Sequence, residues 1–179
     1  MRIISGKYKS RRIAAPNKLP VRPTTDMAKE ALFNILNNNY YFDEIAVLDL
    51  FSGTGNISYE FASRGCEKIT AVDGDYGCVQ FINKTATELD LNISAFKSDV
   101  FSFLEKTALK SDIIFADPPY DLAIESFEKI PELVFKNDLL SKDGLLIIEH
   151  AKQTDLSHMD HFSKKRKYGG SVFSFFELA

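Results

Sequence analysis

From residue 45 onward, short apolar runs alternate with stretches of helical periodicity, and this alternation limits the chain to few folds. The apolar runs read, in order, IAVLDLF, KITAVD, ISAFKSD, DIIFAD and GLLIIEH. Each has the length of a buried strand, and the segments between them repeat apolar residues every three to four positions. Strands and helices that alternate in this way form βαβ units, so we expect a mostly parallel sheet with helices on both faces.

The C-terminal end departs from this alternation. Two further strand-like runs lie on either side of Gly169 and Gly170, which is a hairpin signal. The sequence therefore predicts a Rossmann-like α/β fold: a mostly parallel seven-stranded sheet that ends in an antiparallel hairpin. In such open sheets ligands bind beyond the carboxyl ends of the strands, so functional residues are expected there.

Two of the predicted helices have further features that can be read from the sequence. One begins at Thr24, Thr25 or Asp26, whose side chains suit a helix cap. The segment from Leu122 to Phe135 is helical in pattern but contains Pro131. Because proline removes a helical hydrogen bond, we expect the helix to bend or restart at that residue.

The charge of the chain is distributed unevenly. Residues 1–25 contain seven basic residues and no acid, whereas the rest of the chain carries a net charge of −10. The basic residues are Arg2, Lys7, Lys9, Arg11, Arg12, Lys18 and Arg22. We therefore predict a basic N-terminal extension, 1–25, before a main domain, 26–179. A basic arm on an acidic body indicates a polyanionic partner that is met mainly at one end.

A glycine turn follows the first predicted strand, in DLFSGTGNIS. Gly53 and Gly55 allow a tight turn and a close approach of a ligand to the backbone, and Asp49 lies where it can reach a cation or an amine. The dinucleotide fingerprint would require a third glycine where this chain has Ser58. The turn by itself therefore leaves nucleotide-type binding and a plain strand-to-helix connection equally open.

Acidic residues also end the second and third predicted strands. Asp73 is placed to accept hydrogen bonds from ribose hydroxyls, while Asp75 is the better cap for the next helix. Asp99 can accept from an adenine amine, but taken alone it reads as an ordinary helix cap. The recurrence of acids at the ends of successive strands favours a shared site.

The fourth predicted strand ends in Asp117, Pro118, Pro119 and Tyr120. An aromatic exocyclic amine is a poor nucleophile because its lone pair is delocalised into the ring. A carboxylate and a backbone carbonyl that accept both N–H protons can hold the nitrogen as it becomes tetrahedral. The prolines stiffen this corner, and the tyrosine ring offers a face on which a base can stack. The corner is therefore predicted to hold an amino group during a transfer reaction.

These motifs, in their order and spacing, resemble the class I S-adenosylmethionine-dependent methyltransferases, and DPPY resembles the signature of enzymes that act on planar amino nitrogens. MRIISGKYKSRRI, RPTTDMAKEALFNIL and YGGSVFSFF further resemble the RsmD family, along essentially the whole chain. The resemblance implies an enzyme that methylates N2 of one guanine in 16S ribosomal RNA. S-adenosylmethionine would be its cofactor.

The resemblance also implies site residues. Asp117, Pro118, Pro119 and Tyr120 would be catalytic. The implied cofactor residues are Arg22, Thr24, Asp49, Phe51, Ser52, Gly53, Gly55, Asn56, Asp73, Gly74, Asp99, Val100 and Asp117. The implied RNA-binding residues are Arg2, Lys7, Arg11, Arg12 and Arg22. Two positions depart from the family pattern: Met27 replaces a usual arginine, and Asp73 replaces a more usual glutamate.

Partners and location follow from the same reading. We expect 16S rRNA as partner, within the small ribosomal subunit or an assembly intermediate, and a cytoplasmic monomer without a metal site. The alternatives are a methyltransferase that acts on adenine N6 of DNA or on a protein glutamine, a catalytically silent RNA-binding assembly factor, and a nicotinamide oxidoreductase. Ser58 and the proline-rich fourth loop speak against the oxidoreductase.

Overall fold

In the computed structural model, which describes residues 1–22 and 24–179, helices and strands alternate as the sequence predicts. The helices are α1 (Asp26–Asn37), α2 (Asn56–Ser63), α3 (Tyr76–Glu88), α4 (Val100–Lys106) and α5 (Ile124–Lys136). The strands are β1 (Ala46–Leu50), β2 (Lys68–Asp73), β3 (Ile93–Lys97), β4 (Ser111–Ala116), β5 (Leu140–His150), β6 (Phe162–Tyr168) and β7 (Ser171–Glu177).

The described strands form one sheet in the order β3-β2-β1-β4-β5-β7-β6. The pairs among β1 to β5 are parallel, and β7 lies antiparallel between β5 and β6. The predicted seven-stranded sheet with a C-terminal hairpin is confirmed. Because the strand order reverses between β1 and β4, a crevice opens at their carboxyl ends.

Both faces of the sheet are covered by helices, as alternate residues of the buried strands show. On one face Ile113 and Phe115 of β4 belong to a core with α1, α2 and α3. On the other face Ile114 and Ala116 belong to a core with α4 and α5. A central strand that is apolar on both sides reads as a continuous hydrophobic run, as DIIFAD does.

The expected restart at Pro131 does not occur, because α5 runs unbroken through this residue. Proline in a helix interior costs about 3 kcal/mol. The apolar stripe of α5 is buried on both sides of Pro131, and each such side chain contributes about 1.5–3 kcal/mol. Its members are Phe127, Ile130, Leu133 and Val134. Their burial outweighs the lost hydrogen bond, so the prediction of a restart at Pro131 was wrong.

Residues at the start of the chain pack against the main body. Ile3 and Ile13 are buried in the core that contains α1 to α3, and Arg2 and Arg12 form an isolated antiparallel bridge. The backbone amides of Ile4 and Ser5 donate to the Glu60 carboxylate at 2.9 and 3.1 Å. The first thirteen residues are thus fastened to α2.

Glu60 is also the centre of a buried ionic cluster. Its carboxylate lies 3.3 Å from the ammonium of Lys29 and 2.9 Å from Nε of Arg64. The Lys29 ammonium additionally donates to the carbonyl of Arg2 and to Oδ1 of Asn56. Burial lowers the pKa of Lys29, and the neighbouring Glu60 opposes that shift. The cluster ties the start of the chain to α1 and α2.

None of the described helices combines the length and the apolar character needed to cross a membrane.

Candidate active site

A cleft of about 670 Å³ opens at the carboxyl edge of the sheet. It brings together residues from the ends of β1, β2 and β4, from the loop after β3 and from the N-terminal segment. The residues predicted to act in catalysis or cofactor binding that line it are Arg22, Thr24, Asp49, Phe51, Ser52, Gly53, Asn56, Asp73, Gly74, Asp99, Val100, Asp117, Pro118, Pro119 and Tyr120. Gly55 shapes the loop beneath.

The loop after β1 holds an unusual backbone. Gly53 and Gly55 have φ of 54° and 92°, and Phe51 has φ of 53° although it is bulky. A Cβ on Gly55 would lie 2.8 Å from Cζ of Tyr59, so only glycine fits there. Positive φ at a phenylalanine costs energy, and such strain is characteristic of functional loops.

Ser58 has a defined role in the position where a dinucleotide fingerprint would have glycine. Its hydroxyl donates to Oδ2 of Asp49 at 2.6 Å, and both groups are buried. Serine therefore holds the Asp49 carboxylate in place at the floor of the cleft.

The hydroxyl of Ser52 is buried at the cleft wall and has no hydrogen-bond partner among the described residues. A buried polar group without a partner is costly, which makes Ser52 a ready contact for a polar ligand. Next to it, the amide of Gly53 donates to Oδ2 of Asp73 at 2.8 Å. The loop and the end of β2 therefore form one polar wall.

The acids at the ends of β2 and β3 are held by backbone amides. Oδ1 of Asp73 accepts from the amide of Asp75 at 2.8 Å, and Asp75 in turn caps α3, as predicted. Asp99 caps α4 by accepting from the amide of Ser102 at 2.9 Å, and it also lines the cleft. The helix-cap reading of Asp99 is therefore correct, and it is compatible with a second contact to a ligand.

The corner after β4 faces the cleft. Burial, together with the carboxylates of Glu149 and Asp49, raises the pKa of Asp117, and Arg22 opposes this rise. The guanidinium of Arg22 lies 4.2 Å from the centre of the Tyr120 ring. Arg22 thus covers one face of the ring predicted to stack on a base. The Tyr120 hydroxyl lies 3.2 Å from Oγ of Ser171.

Glu149 is a cleft residue that the sequence analysis missed. It follows Ile148, the register partner of Ala116, so Glu149 and Asp117 occupy equivalent positions on adjacent parallel strands. Its buried carboxylate accepts from the hydroxyl of Thr24 at 2.8 Å. Burial raises its pKa, and hydrogen bonds from Thr24, Ser171 and Tyr120 oppose the rise. An acid directly after the buried run GLLII was the available signal.

The cleft is strongly acidic. Asp49, Asp73, Asp117 and Glu149 bring four carboxyl groups to its wall, and Arg22 brings a guanidinium. Burial raises the pKa of all four, which means that the cleft disfavours their ionised forms. A ligand with net positive charge would relieve this cost, whereas the pyrophosphate of a nicotinamide dinucleotide would increase it.

The buried Asp49 leads to a prediction about pH. Burial raises its pKa to about 7, above the usual value near 3.8 that it has when unfolded. Between these values the folded state binds more protons, so stability falls as pH rises through this window. We expect the unfolding free energy of wild type, relative to Asp49→Asn, to fall by about 2 kcal/mol between pH 5 and pH 7 in urea titrations. Parallel curves would contradict this, and the exposed Asp143→Asn is the control.

The basic residues predicted to bind RNA lie outside this cleft, except for Arg22. Arg2 pairs with Asp26 at 3.0 Å. Lys7 and Arg11 flank the ring of Tyr8, at 5.3 and 5.9 Å from its centre. Arg11 and Arg12 line a shallow depression against α3. Arg11 and Arg12 thus place positive charge beside α3.

The strand order and the cleft at the carboxyl edge define a Rossmann-like fold of the class I methyltransferases. The solved structure of yhhF from Escherichia coli has this fold, with a TM-score of 0.84 and 27% identity over 98% of this chain and 96% of that chain. A family model described as "Conserved hypothetical protein 95" matches residues 1–177. The chain belongs to that family, which is the RsmD family predicted from the sequence.

Two curated relatives agree with this assignment. Ribosomal RNA small subunit methyltransferase D of Buchnera aphidicola is 33% identical over 150 residues, which cover 83% of this chain and 75% of that protein. YlbH of Bacillus subtilis is 34% identical over 161 residues, which cover 87% of this chain and 85% of that protein. Both alignments extend over most of each chain.

Proposed function

We propose that this protein transfers a methyl group from S-adenosylmethionine to the exocyclic N2 amine of a guanine in 16S ribosomal RNA. One observation carries the proposal: the Asp-Pro-Pro-Tyr corner lies on the wall of the same cleft as the glycine loop, Asp73 and Asp99. An amine held at the corner would thus lie beside a cofactor held by the loop. The name of the Buchnera relative, which specifies small-subunit ribosomal RNA, supports the choice of substrate.

The residues present fit S-adenosylmethionine. This cofactor supplies an electrophilic methyl group on a positively charged sulfur, and its net charge is positive at neutral pH. Ser52, with its unpartnered hydroxyl, and the backbone of Gly53 would hold the methionine part. Asp73 would accept from the ribose hydroxyls, while Asp99 and Val100 would contact the adenine. The acidic wall would favour this cation and release the neutral product after transfer.

The corner would orient the amine. The Asp117 carboxylate and the Pro118 carbonyl would each accept one N–H of the guanine amine, so that its lone pair is directed toward the methyl group. Because a nearby positive charge lowers the pKa of a carboxyl group, a bound cofactor would favour the ionised, accepting form of Asp117. Formation of the N–C bond would break the S–C bond and leave a neutral thioether. The nitrogen would then be cationic and therefore acidic, so it could lose a proton to water without a strong base.

The N-terminal segment would cover the bound cofactor. A Cβ on Gly53 would lie 3.1 Å from Cγ1 of Val21, so this segment already passes over the glycine loop. Thr24 is held by Glu149, and Arg22 lies over Tyr120. We propose that residues 1–25 act as an extension that closes over the cofactor and contacts RNA. Arg22 would leave the Tyr120 face when the base stacks there.

The proposed reaction is tested by mapping the product. Purified protein is incubated with radiolabelled S-adenosylmethionine and with small subunits, 16S rRNA or DNA from a strain that lacks the enzyme. We expect labelled N2-methylguanosine at a single position of 16S rRNA. Label on adenine of DNA, or on a protein glutamine, would overturn the guanine assignment. Saturable cofactor binding without any transfer would instead identify a silent assembly factor.

A further inference from the structure

The strand β6 carries four consecutive basic residues, Lys164 to Lys167, at the free edge of the sheet. Charged side chains on an edge strand, lysine above all, prevent pairing with other chains. Three of the four have partners on the protein itself, and one of these is Arg166, which donates to the carbonyl of Lys165 at 3.1 Å. The ammonium of Lys164 lies 5.6 Å from the centre of the Phe175 ring, and that of Lys165 lies 3.4 Å from Oδ1 of Asp155. Edge protection therefore accounts for part of this basic run.

Edge protection does not account for Lys152, which lies on the loop after β5. Its side chain lies beside that of Lys167, close enough to lower the pKa of Lys167. Both residues are exposed, and across the described chain neither forms a salt bridge with an acid. The loop after β5 also contacts β6 through the Asp155–Lys165 pair, so two exposed cations from different elements lie side by side there. Such a pair is suited to an anion that contacts both.

The sheet register places this lysine pair next to the cleft. Lys167 pairs with Val172 of β7, and Val172 pairs with His150 of β5. Lys152 follows two residues after His150, so both lysines lie at the carboxyl edge of the sheet. The next register pair on β6 and β7 is Tyr168 with Ser171. Ser171 lines the cleft and contacts the hydroxyl of Tyr120. The backbone of Lys167 therefore lies one register pair from Ser171.

We propose that Lys152 and Lys167 bind a backbone phosphate of the RNA substrate next to the nucleotide whose base enters the cleft. This inference rests on the proposed function, because it concerns the same substrate. A base that is turned into the cleft remains joined through its sugar to phosphates outside, and such phosphates need a cationic contact at the rim. The cleft itself is acidic and repels phosphate, so the contact must lie outside its wall, as these lysines do. Contacts to phosphate position the nucleic acid without reading its sequence.

The test compares two double variants that remove the same charge. Lys152→Ala/Lys167→Ala removes the proposed site. Lys68→Ala/Lys142→Ala removes two exposed lysines from the opposite, amino-terminal edge of the sheet. We expect the first variant to raise KM for RNA about tenfold, with kcat and S-adenosylmethionine affinity within about twofold of wild type. The affinity for 16S rRNA decreases as salt increases, and in the first variant this dependence should be weaker. The magnitude of the slope of log affinity against log salt should be smaller by about 1.

The outcomes separate this inference from the proposed function. If wild type methylates guanine and both double variants behave alike, the phosphate site is wrong while the function stands. If wild type transfers no methyl group to RNA, the proposed function fails, whatever the salt slopes are. A defect of the first variant on small subunits, with an unchanged salt slope on 16S rRNA, would indicate a carboxylate of a ribosomal protein and would overturn the phosphate assignment.

Discussion

Asp117→Ala is expected to lower the rate of methyl transfer by a factor of about 10²–10³, which is the scale on which loss of one preorganised catalytic group acts. The Asp117 carboxylate is placed to accept a proton of the amine, and alanine offers no acceptor. Affinity for S-adenosylmethionine should change by less than about threefold, because the glycine loop, Asp73 and Asp99 remain. Single-turnover kinetics give the rate, and calorimetry gives the affinity.

Two further variants make this result specific. Asp117→Asn keeps the shape and one acceptor oxygen, but it adds an N–H donor toward an amine that also donates, so it should recover only a small part of the rate. Asp121→Ala removes an exposed acid four residues away and should leave the rate unchanged. Equal losses of rate and cofactor affinity in Asp117→Ala would contradict the assignment of Asp117 to the amine.

The largest effect on stability is expected from Glu60→Ala, which should lower the free energy of unfolding by about 3–5 kcal/mol. Glu60 is fully buried, and its loss leaves the buried ammonium of Lys29 without its anionic partner. The amides of Ile4 and Ser5 also lose their acceptor. Urea unfolding at pH 7 measures the change.

The exposed pair of Lys84 and Glu88 provides the comparison. Its charged atoms are 3.9 Å apart on α3, and both side chains are mostly exposed. Glu88→Ala should therefore cost less than about 0.5 kcal/mol. In Glu60→Ala, trypsin should also cleave earlier within the first twelve residues. A change of less than 1 kcal/mol in Glu60→Ala, or unaltered proteolysis, would show that the cluster does not fasten the start of the chain.

The central strands β1, β2, β4 and β5 were predictable because each contains a buried apolar run, and helical patterns separate β1, β2, β3, β4 and β5 along the chain. The run KITAVD coincides with β2, and VFSFLEK coincides with α4. The restart predicted at Pro131 was wrong because the effect of a proline is local, whereas α5 is stabilised by burial of its apolar face against the sheet. The low helix propensity of a single residue is outweighed by tertiary packing when enough apolar surface is buried.

The candidate site was predictable wherever a residue type was unusual for a strand end. Asp49 near the end of β1, Asp73 at the end of β2, Asp117 after β4 and the glycine turn met this condition, and the structure places them around one cleft. Glu149 was not predicted as a site residue because the strand continues to His150 and no glycine or proline motif follows directly. The contact of Arg22 with Tyr120 could not be foreseen, since it joins residues 98 positions apart and depends on how the N-terminal segment crosses the sheet.

The position of β7 has a consequence for synthesis of the protein. β7 is the final strand in sequence, yet it lies between β5 and β6 and brings Ser171 to the cleft. While a growing polypeptide still lacks this strand, one side of β5 is open, and β6 has no neighbour. Contacts between residues distant in sequence also form slowly. The cleft is therefore completed only after β7 has been synthesised, and a truncated product that lacks β7 would lack Ser171 at the cleft and be prone to aggregate along β5.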